Sequence, residues 1–123
     1  MDIQQQAAGR AEELPGSELT HPFGEDWDVW KVRDKVFMLQ TQVTGQELVP
    51  LKANPEGSVA LRKAYENITP GYHMNKKHWI SVAPASNITA TLVDELVTES
   101  YLLVVEKLPR AIRPVDPDTF GQN

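Results

Sequence analysis

Residues 27–43, WDVWKVRDKVFMLQTQV, limit the possible folds more than any other stretch of this chain. Valine, tryptophan, phenylalanine and threonine dominate it, and a single polar break falls at Arg33-Asp34. Branched and aromatic residues on either side of a two-residue break predict a β-hairpin. With Arg33 and Asp34 as the loop, Val32 faces Lys35 and Trp30 faces Phe37. Trp30, Val32, Phe37 and Leu39 then share the core face, and Lys31, Val36 and Met38 take the other. A slip of one residue would invert that assignment. Arg-Asp is a poor pair for a tight type I′ turn, because both positions want φ > 0.

The rest of the chain supplies helices and further strands. Ile3, Ala7, Ala11 and Leu14 recur at helical spacing, and Pro15-Gly16 ends the run. A short extended piece follows over 18–23. ELVPLKAN reads as a third strand, with Pro50 suggesting an edge or a bulge. Asn54-Pro55-Glu56 is a helix start: a cap, a proline in the first turn and an acid near the positive dipole end. Val59, Ala60, Ala64 and Tyr65 are the expected inner side of that helix, which runs to about Asn67. ITPGYHM and KHWISVAP read as two strands around a polar turn at 73–77. Leu92, Leu96 and Leu103, with Val93, Val97, Tyr101, Val104 and Leu108, predict a helix over 87–107, stopped by Pro109. Two more prolines follow, so 111–123 reads as an extended tail, either pinned by Ile112 or Phe120 or mobile. The expected architecture is a single domain over 1–110 of α+β class. It has two layers: one antiparallel sheet of five to six strands, with three helices packed mainly on one face.

Charge narrows the function. The net charge of −5 argues against nonspecific nucleic-acid binding by the chain as a whole. Its distribution is uneven. Residues 29–79 hold eight basic residues against four acidic ones, a local net of +4. Seven of the nine aromatic residues also fall between Phe23 and Trp79. A basic, aromatic-rich centre suits an anionic partner; lysines that merely solubilise the surface would give the same count. With no cysteine, disulfides and thiolate metal sites are excluded, and a reducing compartment is the simplest home. The N-terminus lacks the layout of a signal peptide, and no apolar run is long enough to span a bilayer. The expected location is cytoplasmic, with no membrane partner.

GYHMNKKHWISV, residues 71–82, concentrates chemistry. Tyr72, His73, Asn75, Lys76, Lys77 and His78 offer donors and positive charge at a turn. Lys76 and Lys77 can neutralise phosphates, and Tyr72 or Trp79 can stack on a base. The structural reading is equally available. Trp79 opens a strand and suits a core edge, the histidines can satisfy backbone groups, and Asn75 is a natural turn residue. His73 and His78 have no nearby carboxylate and His21 is remote, so no metal site is expected. No nucleophile elbow, phosphate loop or zinc-protease motif occurs. The expectation is a binding protein with no catalytic residues and no cofactor.

The order LPGSELTHPFGEDWDVWKVRDKVFML, LVPLKANPE, PGYHMNKKHWISV, SYLLVVEKLPR resembles the MmcQ/YjbR family of small bacterial proteins. The likeness covers residues 14–110. It implies a compact α+β fold akin to frataxin-like and secretion-chaperone-like architectures. It also implies DNA binding through a double-wing arrangement, with Lys31, Arg33 and Lys35 on one hairpin tip and residues 72–78 on the other. Family members often carry two glycines where this chain has Arg33-Asp34. The expected function is DNA or other anionic-ligand binding by the two tips. The alternative is a protein–protein interaction module. Either way, the anion reading requires these cations to gather on one side of the molecule.

Overall fold

The computed structural model describes residues 1–43, 45–71 and 75–121. Helix α1 (Ile3–Glu13) leads into strands β1 (Ser17–Thr20), β2 (Trp27–Val32), β3 (Lys35–Thr41) and β4 (Val49–Lys52). Helix α2 (Pro55–Ala64), strands β5 (Ile68–Pro70) and β6 (Trp79–Val82), and helix α3 (Ala90–Val105) follow, with a last helical turn at Arg110–Ile112. The six strands make one open antiparallel sheet in the order β1-β2-β3-β4-β6-β5. The chain is α+β, as the element order implies. α1 and α3 pack on each other and bury one sheet face, while α2 leans on β5. No helix among the described residues is long and apolar enough to cross a membrane.

Local chemistry explains the helix starts. The Asp2 carboxylate accepts the amides of Gln4 and Gln5, Asn54 accepts that of Gly57 and Thr89 that of Leu92. The β2–β3 turn is the expected two-residue loop, with Val32 opposite Lys35. Both loop residues take the left-handed conformation, Arg33 at φ 49° and Asp34 at φ 67°. A side chain in that region is strained. Asp34→Gly should therefore raise stability by about 0.5–1 kcal/mol in urea denaturation.

Beyond the turn, the register departs from the simple hairpin. The pairing shifts between Trp30 and Lys31, so Trp30 faces Met38 and Phe37 is left without a partner. This β-bulge turns Phe37 and Met38 into the core one after the other. Leu39 pairs with Val29 on the opposite face, where it is still only 6% exposed. The expected core membership of Leu39 and the outward placement of Met38 are thus exchanged.

Pro50 is not at an edge. It lies buried in β4, between β3 and β6. Thr41 and Leu48 exchange both backbone bonds, at 3.1 and 2.9 Å. Continuing that alternation, the next rungs would fall at Leu39/Pro50 and Phe37/Lys52. Pro50 has no N–H to give. The Phe37/Lys52 rung is made by a side chain instead. The Ser100 hydroxyl of α3 accepts the Lys52 amide at 2.8 Å and donates to the Phe37 carbonyl. A helix hydroxyl thus bridges the two central strands next to the point where the proline interrupts their ladder.

In α2 the inner side also differs from expectation. Val59 is 43% exposed, and Ala60 and Ala64 face solvent. Ser58 is the buried residue, flanked by half-buried Leu61 and Tyr65. The helix meets the sheet with a small polar side chain because it covers only the short β5 end. The tail is pinned. Phe120 packs on Tyr101, with ring centroids 6.1 Å apart. The Ile112 carbonyl accepts from Arg33 Nε at 2.8 Å, while the Ile112 side chain stays exposed.

Candidate functional site

The three cations of the first hairpin part company. Lys31 pairs across the sheet with Glu18 and Val36, on the face away from the helices. Arg33 is engaged with the tail through the Ile112 carbonyl. Lys35 shares its face with Val32, which lies in the helix-covered core. Of the three, Lys35 is directed toward the helix side and has no ion-pair partner among the described residues, while Arg33 on that side is taken up by the tail.

At the second turn, Tyr72 and His73 lie outside the described residues. Asn75 builds the turn: its side-chain oxygen accepts the Lys77 amide at 2.9 Å, and its carbonyl accepts the amides of His78 and Trp79. Lys76, Lys77 and His78 are exposed on it. The His78 carbonyl accepts from the amide of Ala53, which fixes this turn beside the end of β4. Trp79 is buried, and the Lys52 ammonium sits 5.7 Å from its ring centroid. That arrangement is a cation–π contact, with little ring face left for stacking.

Asn75 and His78 line a groove of about 390 Å³ together with Lys52, Asn54, Glu106 and Lys107. Its walls are the 75–79 turn, the link from β4 to α2, and the last turn of α3. Lys52 is half-buried at its floor, and its pKa is lowered. Burial is the first cause, followed by the like charges of Lys107 and then Lys35. Three ammonium groups from β3, β4 and the end of α3 are therefore near enough to repel one another. Among the described residues, no carboxylate lies within ion-pair distance of Lys35, Lys52, Lys76, Lys77 or Lys107. The site can hold an anionic group, whose charge would relieve this repulsion.

Lys52 and Lys107 carry no signal in the sequence as a pair. One ends a strand, the other follows a helix, and 54 positions separate them. The remaining histidine, His21, bonds Asp28 at 2.8 Å near the β1–β2 connection. Among the described residues no group of three His, Asp or Glu is placed to hold a metal ion.

A family model described as YjbR matches residues 12–103. The chain belongs to the YjbR family. The match spans β1 to β6 and most of α3, so it includes the groove except for its Glu106–Lys107 end. The uncharacterized protein YbdF of Escherichia coli O157:H7 is 45% identical over 98 residues, covering 80% of each chain. The uncharacterized protein YjbR of Escherichia coli K12 is 32% identical over 101 residues, covering 80% of this chain and 84% of its own. The family fold is also seen in the crystal structure of Deinococcus radiodurans DR2400. It superposes with a TM-score of 0.78 at 37% identity, covering 85% of this chain and 80% of that one. A Pseudomonas syringae protein superposes with a TM-score of 0.70 at 28% identity, covering 84% and 98%.

Proposed function

We propose that this YjbR-family protein is a binding module rather than an enzyme, and that it takes an anionic group at the groove floored by Lys52. The observation that supports the reading is the convergence of Lys52, Lys107 and His78 on one cavity, with Lys35 in electrostatic reach, in a chain of net charge −5. Lys76 and Lys77 extend the same positive surface along the adjoining turn. Where DNA is the ligand, a backbone phosphate sits at Lys52, and Lys35, Lys76 and Lys77 meet its neighbours. The contacts are to phosphate rather than to bases, because Trp79 is buried and covered by Lys52. This one-sided surface replaces the two separate wings, since Lys31 and Arg33 are directed elsewhere.

The test is oligonucleotide affinity against salt. A fluorescent 20-mer, single-stranded and duplex, is titrated with the full chain from low ionic strength upward. The expected result is a steep loss of affinity with salt, and a log–log slope shallower by about 1 for each of Lys52→Gln and Lys107→Gln. A salt-independent affinity would point instead to an apolar protein contact. No association with either oligonucleotide at low salt removes nucleic acid as the ligand.

A further inference from the structure

The Lys52 groove continues past its cationic end. A second cavity, of about 320 Å³, adjoins it across Lys52, Ala53 and Asn54. The side chains of α3 and of the turn after it that line the two cavities include Leu92, Leu96, Glu99, Leu103 and Lys107. Steps of four, three, four and four put these on one stripe of the helix. The cavities therefore lie end to end along a single wall. From Leu92 to Lys107 that wall is about 22 Å long at the α-helical rise per residue. The facing wall is the start of α2, with Gly57, Ala60 and Leu61. α2 packs chiefly against β5 rather than against α3.

The chemistry changes along this groove. At the far end, half-buried Leu61 and Leu92 meet Leu96, an apolar pocket. Glu95 stands beside Leu92 and Leu96 at that end, and Glu99 follows one turn on toward the middle. Lys52, Lys107 and His78 form the other end, where Glu106 is the one acid among the lining residues. A polyanion laid lengthwise would meet the two glutamates after one favourable contact. An acyl chain would find an open, acid-lined trough rather than a closed tunnel. A short peptide fits all three zones. Extended, about six to seven residues span this length.

We infer that the groove between α2 and α3 binds an extended peptide segment of a partner protein, with apolar residues at Leu61–Leu92, a basic residue at Glu95–Glu99, and an acidic residue or free carboxyl terminus at Lys52–Lys107. The inference rests on the reading of the Lys52 end as an anion site. It adds the class of partner and the direction in which the partner lies.

The probes are two synthetic heptapeptides: one with two N-terminal leucines, two central lysines and a C-terminal aspartate, and its charge-reversed counterpart. Each is titrated into the full ¹⁵N-labelled chain, as is pyrophosphate alone. The first peptide should shift the amides of Leu61, Leu92, Glu99 and Lys52 together and bind at least tenfold more tightly than the reversed one. Glu99→Lys should lower its affinity at least fivefold and raise that of the reversed peptide, an exchange that loss of structure cannot produce. Equal binding of the two peptides, or shifts confined to other surfaces, overturns the inference. If pyrophosphate shifts Lys52 and neither peptide binds, the peptide groove falls and the anion site stands. If none of the three shifts Lys52, both fall.

Discussion

Tyr101→Ala is expected to lower the free energy of unfolding by about 3–5 kcal/mol, the range for removing a large buried aromatic. In a domain whose total stability is on the order of 5–15 kcal/mol, this is a large fraction of the whole. Tyr101 is fully buried and meets Phe37 edge-on, with ring centroids 5.5 Å apart. It carries Phe120 of the tail on its other side, and its hydroxyl donates to the Pro15 carbonyl at 2.6 Å. One side chain thus ties α3, the bulged strand β3, the corner after α1 and the tail. Urea denaturation followed by tryptophan fluorescence measures the loss. Tyr101→Phe keeps the packing and should cost only about 1 kcal/mol, the worth of one hydrogen bond. The phenol pKa is pushed up to about 12 by burial, with Arg33 opposing weakly. A folded-state pKa above the unfolded one gives stability that is complete below pH 10. That stability is lost as pH rises toward 12. The phenylalanine variant should lack that alkaline loss.

Ser100→Ala is the second large effect, about 2–4 kcal/mol. The hydroxyl is the link between the Lys52 amide and the Phe37 carbonyl. Its removal strands two groups in the interior, at roughly 1–3 kcal/mol for each group left unpaired. The local signature separates this from general weakening. Amide hydrogen exchange at Lys52 should accelerate more than at Val49, which keeps its pairing with Val82. Equal acceleration at both would show that the bridge is not what holds this rung.

These two residues also show where the sequence runs out. The turn at Arg33-Asp34 is legible because only two polar residues separate two β runs, and its positive φ values follow from the type of loop. The bulge at Phe37 is not. The shift falls in the β2–β3 pairing, and the Phe37 carbonyl is taken by a serine 63 positions away. Periodicity within one strand carries no trace of either. The inner face of α2 departs from its apolar pattern for a related reason. Val59 and Ala60 have the apolar character of a core face, but the helix rests on a three-residue edge strand that can bury only Ser58 and partly cover Leu61 and Tyr65.

The candidate site divides in the same way. Asn75, Lys76, Lys77 and His78 stand together in the chain and on the surface, so their cluster is visible by eye. Lys31, Arg33 and Lys35 are equally close in sequence, yet strand alternation and the tail send them three ways. Lys52 and Lys107 are each unremarkable as isolated lysines. They acquire meaning only because β4 ends against the last turn of α3, an arrangement that Ser100 helps to fix.

Lys52 lies in the positive field of Lys107 and Lys35, which a bound anion of the proposed kind would neutralise. The most direct measurement is the pKa of its ammonium group by NMR, in the free protein and with saturating pyrophosphate. The account predicts a value below that of an ordinary lysine when free, from burial and from Lys107 and Lys35, rising when the anion is added. Neutralising Lys107 alone, as Lys107→Gln, should raise the free value part of the way. A Lys52 pKa that stays in place at saturating pyrophosphate would contradict the account.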